Sequence, residues 1–218
     1  MVVRNMISIH VREIDGRWFG LAYAAEQIVT TSIGSTRQEV LGRLSRRLPP
    51  GVEHQITEEC SEYVEKTMVM LVELEAGNEE RKSFSIAGDY VAEPVSKVLK
   101  SAASVPIGYV TSYGDIAKAS DTEARVVGRI MASNPLYPIV PCHRVVGADL
   151  SLVGYRGTKD LPALQAKLGR LRKEARGYKE AKEVTIEGKK LRVYPVEWAI
   201  KRADRAGSGS SGQMTLFG

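Results

Sequence analysis

The first third of the chain alternates apolar and polar residues in short runs, a pattern typical of β-strands that bury one face. Asp15-Gly16 interrupts the alternation where a tight turn would join two strands. A longer stretch with helical spacing follows and stops before Pro49. The predicted elements are strands within residues 5–34, a capped helix over 35–47, and strands over 67–72 and 83–86.

Helical spacing dominates the middle of the chain. A helix is predicted over 94–103, and a second short helix begins where Ser112 can cap it and Asp115 stands three residues later. Apolar residues then recur at helical spacing until Pro135, which forces the helix to end before it. Two short helices joined by residues 120–122 predict a helix-turn-helix, although an ordinary helical hairpin fits this pattern equally well.

The last forty or so residues change character again. Residues 184–193 alternate about Gly188, which predicts a hairpin, and 195–202 suits a short helix. The glycine–serine run over 207–212 predicts a flexible tether. The chain is therefore predicted to be an α+β protein with four parts: a small sheet-plus-helix domain (1–89), a mainly helical domain with the helix-turn-helix (90–178), a basic extension (179–206) and a flexible tail (207–218).

Candidate chemistry is concentrated at Cys142-His143, which contains one of only two cysteines. Prolines at every third position, ending with Pro141, predict a stiff, extended mount for this pair. An imidazole beside a thiol can help to form the reactive thiolate. A buried cysteine that acts only as a small apolar side chain is the alternative, and the dipeptide alone does not decide between them.

The residues around the pair resemble a known family. The run from Asn134-Pro135 to Pro141-Cys142-His143-Arg144-Val145-Val146 is similar to the signature of O6-alkylguanine-DNA alkyltransferases, the methylated-DNA–protein-cysteine methyltransferases. The resemblance extends back through residues 105–113, forward through 153–157, and ends near Glu174. Residues 1–90 are similar to the family only in layout. The likeness thus covers roughly ninety residues.

The resemblance implies a one-shot repair reaction. Cys142 would attack the alkyl carbon of O6-alkylguanine and become an inert thioether, so the protein would be consumed. His143 would act as the base through a bridging water, and Glu174 would hold and polarise that histidine. Tyr113 would donate a proton to the departing guanine.

The same resemblance implies how the base is reached. An alkylated oxygen inside a duplex is inaccessible, so the base must be rotated out of the stack. Arg125 matches the arginine that fills the vacated place. The other implied DNA-binding residues are Ala124, Gly128, Arg129 and Asn134, where the asparagine would tie the helix-turn-helix to the active-site segment. The implied base pocket comprises Val145, Tyr155 and Arg156, the last through its main chain because the family often has serine there.

The net charge and its uneven distribution along the chain favour a polyanionic binding partner. The chain has a formal net charge of +5 at pH 7, and its carboxyl-terminal part is the basic one. Residues 151–218 contain 15 Lys and Arg against 7 Asp and Glu, whereas residues 51–100 contain 5 against 11. This asymmetry favours one DNA-facing side, reached through phosphate contacts that do not depend on sequence. Solvated basic helices are the alternative explanation.

Composition excludes several classes of protein. No apolar run approaches the roughly 18 residues of a membrane span, and the amino terminus resembles a strand rather than a signal peptide. Two cysteines make no disulfide framework and fit a reducing compartment, so a cytoplasmic location is expected. The protein is also expected to be a monomer. The soft ligands Cys60, His10 and His54 are too sparse for a structural zinc, and neither metal nor cofactor is predicted.

The end of the chain suggests a second partner. Gln213, Leu216 and Phe217 resemble the front half of the peptide that docks repair proteins onto the sliding clamp, although the usual aromatic pair is incomplete. On a flexible tether such a peptide would raise the local concentration of the protein. A disordered tail without a partner is the alternative.

Two other functions remain open from the sequence. A sensor that binds alkylated DNA without transferring the alkyl group would resemble this chain, but such relatives lack the cysteine that is present here as Cys142. A helix-turn-helix regulator would need a dimerisation segment, and none is visible.

Overall fold

The computed structural model describes residues 6–78, 85–86 and 91–210, without the side chains of 207–210. The chain forms two compact units. One comprises Met1–Ser96 and Asn134–Val140, and the other comprises Lys97–Ser133 and Pro141–Gly218. These units divide the chain differently from the domain limits predicted at residues 89 and 178, which stay predictions.

The alternating amino-terminal pattern forms a four-stranded sheet in the first unit, with the turn at Asp15-Gly16 in place. Antiparallel pairing joins the first three strands, the fourth runs parallel to the first, and the order is β3-β2-β1-β4. Thr36 caps the predicted helix by accepting a hydrogen bond from the amide of Glu39. The elements are β1 (Ile7–Ile14), β2 (Arg17–Ala24), β3 (Gln27–Gly34), α1 (Arg37–Arg47), β4 (His54–Ile56) and α2 (Glu62–Ala76).

The predicted strand over 67–72 is wrong, because these residues lie inside α2. Ser61 caps the start of the helix, and Gly77 ends it in the left-handed conformation. Val64, Met68 and Leu71 are fully buried at helical spacing. The β-branched residues suggested a strand, but caps and a buried helical stripe outweigh that preference. Of the predicted strand over 83–86, residues 83–84 lie outside the described residues, and Ile86 makes an isolated bridge to Ile28.

The helix-turn-helix prediction is confirmed in the second unit. After α3 (Glu93–Ala103), which begins in the first unit, β5 (Tyr109–Ser112) leads into α4 (Tyr113–Ala119) and α5 (Ala124–Ala132). The Ser112 hydroxyl accepts a hydrogen bond from the amide of Asp115 at 3.0 Å and donates one to its carboxylate at 2.6 Å. This is the capping arrangement that the sequence predicted.

The active-site segment differs from the extended mount that the prolines suggested. Cys142–Arg144 forms one turn of 3-10 helix, followed by the short strand β6 (Val145–Val146). The Arg144 amide bonds to the Pro141 carbonyl at 2.8 Å and closes this turn. With three residues per turn, consecutive side chains still point in different directions.

The extension adds structure to the second unit. The hairpin prediction is confirmed by β7 (Lys182–Ile186) and β8 (Lys189–Pro195), which follow α6 (Leu161–Lys173). Strand β8 pairs with β5, so the sheet has the order β6-β5-β8-β7. The predicted short helix is longer: α7 (Val196–Ser210) continues into the first residues predicted as a tether. Gln213, Leu216 and Phe217 lie outside the described residues.

A small apolar core holds the extension to the rest of the second unit. Val196 and Ala199 of α7 pack with Val110, Val146 and Leu171, all of them fully buried. Most neighbouring strands pair antiparallel, and the helices lie between some of the strands along the chain, which confirms the predicted α+β class. Within the described part of the chain, no helix has the length and apolar character needed to cross a membrane.

Candidate active site

Cys142 lies at the wall of a cavity that the sequence could not show. It is the first residue of the 3-10 helix, and only 6% of it is exposed. The cavity has a volume of about 500 Å³, which is within the range of small-molecule sites. The thiol therefore faces a space that could admit a nucleobase, and it is not sealed in a core.

Three elements bring predicted site residues to this cavity. Tyr113 comes from the start of α4, and Arg125 comes from the first turn of α5. Tyr155 and Arg156 come from the loop that follows β6. The predicted site residues that line the cavity are Tyr113, Ala124, Arg125, Gly128, Cys142, Tyr155 and Arg156.

His143 lies behind the cavity wall and is held by Glu174. Its Nε2 lies 2.7 Å from the Oε1 of Glu174, and both side chains are buried. The buried Nδ1 has no hydrogen-bond partner among the residues described. A neutral His143 that donates from Nε2 has its acceptor lone pair on Nδ1. Burial lowers the pKa of His143, while the neighbouring Glu174 carboxylate opposes that shift, so the ring is neutral at pH 7.

Glu174 is ionised by its surroundings although it is buried. Burial alone would raise its pKa, but His143 and Arg144 together bring it down to about 2. The Arg144 guanidinium donates to both carboxylate oxygens, from Nε at 2.7 Å and from Nη2 at 2.9 Å. Its Nη1 donates to the Val105 carbonyl at 2.7 Å. One carboxylate thus accepts hydrogen bonds from both residues that follow the cysteine.

Arg144 and Lys167 belong to the site, although the sequence analysis assigned no role to either of them. Lys167 is fully buried, and its ammonium donates to the carbonyls of Val145 at 2.6 Å and Gly154 at 2.9 Å. It joins the strand after Cys142 to the loop that carries Tyr155. The available signal was a lysine four residues before Leu171 on the apolar face of α6.

The charge of Lys167 is affected by its environment. Burial lowers its pKa to about 8, and the nearby Cys142 acts in the opposite direction. A protonated Lys167 would attract a thiolate at Cys142.

The two tyrosines of the cavity retain their protons at neutral pH. Burial, and then proximity to Cys142, raise the pKa of Tyr113 to about 12. The same causes, in the same order, raise the pKa of Tyr155. The nearby Arg170 and Arg156 oppose this shift in the pKa of Tyr155. Both phenols can therefore act as donors to a bound base.

Helix α5 presents an open face beside the cavity. Ala124, Arg125 and Arg129 are exposed. A Cβ added to Gly128 would meet no atom within 4 Å, so none of the described residues covers this position. Small residues on an uncovered helix allow close approach of another surface.

Besides His143 and Glu174, three other predicted site residues lie away from the cavity lining. Arg129 projects from α5 but does not line the cavity, and Val145 is buried in β6. Asn134 belongs to the first unit, where its amide donates to the Val140 carbonyl at 2.7 Å and its oxygen accepts from the Leu136 amide. These bonds close the loop before Pro141. Among residues 6–78, 85–86 and 91–210, no three His, Cys, Asp or Glu side chains are grouped to hold a metal.

Comparison with known proteins matches the part of the chain that contains the cavity. The family model for the DNA-binding domain of 6-O-methylguanine DNA methyltransferase covers residues 93–176. A methylated-DNA–protein-cysteine methyltransferase of Pyrobaculum aerophilum is 48% identical over 65 residues, which is 30% of this chain and 44% of that protein. This alignment spans less than half the length of the relative.

Longer matches have lower identity. A methylated-DNA–protein-cysteine methyltransferase of Methanocaldococcus jannaschii is 29% identical over 145 residues, or 66% of this chain and 82% of that protein. The crystal structure of O6-methylguanine-DNA methyltransferase from Pyrococcus kodakaraensis matches with a TM-score of 0.55 and 25% identity. That match covers 78% of this chain and 99% of the other.

Proposed function

The chain belongs to the O6-methylguanine DNA methyltransferase family through residues 93–176, and we propose that it repairs O6-alkylguanine in DNA by moving the alkyl group onto its own Cys142. The observation that carries the proposal is the cavity in which Cys142 lies with two tyrosines and two arginines, backed by a His143–Glu174 pair. In this proposal the sulfur–carbon bond forms as the carbon–O6 bond breaks. The thioether cannot be hydrolysed, so each molecule acts once.

The proton of the thiol is proposed to leave through His143. The lone pair on Nδ1 accepts it through a bridging water, while Glu174 stabilises the imidazolium that results. The low pKa of His143 supports this role, because the ring is neutral and ready to accept a proton at pH 7. Arg144 keeps Glu174 ionised and oriented, so it acts as a positioning residue.

The departing guanine needs a proton in return. Tyr113 shares the cavity with Cys142 and keeps its hydroxyl proton at neutral pH, which supports its role as the donor. The main-chain groups of Cys142 and Val145 are proposed to bind the amino group of the base, and the amide of Arg156 its O6. Tyr155 completes the pocket wall.

The DNA is proposed to bind along the open face of α5. Arg125 lies at both this face and the cavity, so its guanidinium can fill the space that a flipped guanine leaves. Ala124 and Gly128 allow the helix to approach a groove, and Arg129 can reach a phosphate. Asn134 fixes the loop that leads to Pro141. Clamp binding by the tail remains a separate proposal, tested by titrating the clamp with a peptide of residues 207–218.

Mass spectrometry of the whole protein tests the proposed reaction. After incubation with duplex DNA that contains O6-methylguanine, we expect one added methyl group, located on Cys142. Cys142→Ala should gain none, whereas Cys60→Ala should be methylated like the unmodified chain, since Cys60 lies in the first unit. Binding to the damaged duplex without any added mass would favour the sensor or the regulator instead.

A further inference from the structure

The wall of the Cys142 cavity has an unusual charge. Its lining contains three cationic side chains, Arg125, Arg156 and Lys159, and no carboxylate from the described part of the chain. Arg125 is already proposed to fill the place of the flipped base. Arg156 and Lys159 remain, and both belong to the loop between β6 and α6. A methyl group gives these two cations nothing to bind.

The loop holds Arg156 in a costly conformation. Tyr155 and Thr158 exchange two backbone hydrogen bonds, at 2.9 and 3.1 Å, and so close a tight turn. Arg156 and Gly157 are its two central residues, with φ values of 52° and 81°. Turns of this kind favour asparagine or glycine at both positions, because a side chain is strained where φ is positive. An arginine at such a position suggests a role for its side chain.

A contact with the Tyr155 ring also places the Arg156 side chain beside the cavity wall. The Arg156 guanidinium lies 5.2 Å from the centre of the Tyr155 ring, a residue of the same cavity wall. Stacking holds the cation beside the space in which Cys142 would meet the alkyl group. Guanidinium groups bind carboxylates through paired, charge-assisted hydrogen bonds.

We infer that Arg156, assisted by Lys159, makes the cavity selective for O6 substituents that carry a negative charge, with carboxymethyl as the simplest member. This inference rests on the proposed function and specifies its substrate class. A carboxylate one bond from the reacting carbon repels an incoming thiolate, and the cations on the wall offset that repulsion. Cys142 forms a bond to the CH₂ carbon, and the carbon–O6 electron pair leaves with guanine. The thiol proton passes to His143, guanine takes one from Tyr113, and S-carboxymethylcysteine remains.

A pair of substrates of nearly equal size isolates the charge. Duplexes with O6-carboxymethylguanine and with O6-carbamoylmethylguanine differ only in a carboxylate against a neutral amide. We expect the full chain to react at least about tenfold faster with the carboxymethyl duplex, the effect of one charged hydrogen bond. Equal rates for the two duplexes would overturn the inference.

Substitutions then assign the preference to the side chain. Arg156→Asn suits the turn and removes the charge, so the rate ratio should fall to near one, while Arg156→Lys should retain most of it. Arg129→Gln is the matched control: it removes an exposed arginine from α5 outside the cavity, and should leave the ratio unchanged even if both rates fall. If Arg156→Asn lowers both rates equally, Arg156 binds a DNA phosphate and the inference is wrong. Absence of any methyl transfer to Cys142 would instead refute the proposed function.

Discussion

Glu174 is a carboxylate in an unfavourable place, because it is buried at the carboxyl end of α6, where the helix dipole disfavours negative charge. Two side chains overcome this cost. Arg144 binds both of its oxygens, and His143 binds one of them. Arg144 and His143 follow Cys142 directly. The same segment therefore supplies the proposed nucleophile, its proposed base and the arginine that orients Glu174.

The low pKa of Glu174 predicts how stability responds to acid. A carboxyl group whose pKa is about 2 in the folded state and 4.5 when unfolded stabilises the fold above pH 4.5, by about 3 kcal/mol, and loses this contribution as pH falls toward 2. His143, whose folded pKa lies below 6.5, adds to the loss from pH 6.5 downward, because the unfolded chain binds the proton more readily. We expect the free energy of unfolding, measured with denaturant across this range, to decline accordingly.

A matched pair of variants checks that Glu174 is the cause. Glu174→Gln should be less stable at pH 7, because it leaves Arg144 buried without its carboxylate, and should show a flatter decline between pH 4.5 and 2. Glu187→Gln, in the exposed hairpin turn, should retain the original slope. An unchanged slope in Glu174→Gln would contradict this explanation.

Lys167 makes a second contribution to the stability of the site, and this contribution can be tested. In Lys167→Met the carbonyls of Val145 and Gly154 lose the ammonium that binds them, which should lower the free energy of unfolding by about 1–3 kcal/mol. Methyl transfer should slow as well, since the strand after Cys142 and the Tyr155 loop lose their link. Lys173→Met, exposed on the same helix, should change stability by less than about 0.5 kcal/mol. Equal unfolding midpoints for the two variants would rule out this role.

At the scale of elements, α6 connects the site to the extension. One turn before Glu174, Leu171 packs with Val196 and Ala199 of α7 and with Val146 of β6. The Glu197 carboxylate accepts hydrogen bonds from the amides of Arg176 and Gly177, just after α6 ends. The extension lies beyond the residues that the family model covers. It nevertheless shares a core with the helix that carries Glu174.

Leu171→Ala should therefore be strongly destabilising. Removing a fully buried leucine side chain leaves a cavity at this junction, and we expect a loss of about 2–5 kcal/mol in thermal or denaturant unfolding. Leu161→Ala, 67% exposed in the first turn of the same helix, is the matched control and should lose less than about 0.5 kcal/mol. A small effect of Leu171→Ala would mean that the extension and α6 are not joined by this core.

At the scale of the whole molecule, charge is divided along the chain. The basic residues concentrate after residue 150, and the acidic excess lies within 51–100. Binding to any duplex through phosphates releases counterions, so the affinity should fall linearly on a logarithmic scale as salt rises. This sequence-independent attraction would let the protein sample undamaged DNA.

A substitution tests how much one residue contributes to the salt dependence of DNA affinity. Arg129→Ala should reduce the slope of log affinity against log salt for an undamaged duplex by about one, because one fewer phosphate is neutralised by the protein. Lys66→Ala removes an exposed lysine paired with Glu62 in the acidic stretch, and should leave the slope unchanged. Titrations at several salt concentrations measure both, and equal slopes for Arg129→Ala and the unmodified chain would exclude phosphate binding by Arg129.

Local sequence signals were sufficient to predict much of the secondary structure of this protein. The caps at Ser112 and Thr36, the stop at Pro135 and the turn at Gly188 each act within a few residues. The sequence alone therefore determined the two helices α4 and α5, helix α1 and the hairpin. The Cys142-His143 pair and the resemblance around it also follow from contiguous residues.

Other features were decided only by tertiary structure. Residues 67–72 are helical because their apolar side chains find a core at helical spacing, which outweighs β-branched preference. Arg144 meets Glu174 across thirty residues, and Lys167 meets Val145 across twenty-two. Buried charges are stable only where distant groups pair with them, and no local pattern specifies which groups those are. The sequence therefore determined most of the local elements and identified the Cys142-His143 pair, and the tertiary structure decided which groups surround the site and set its charge.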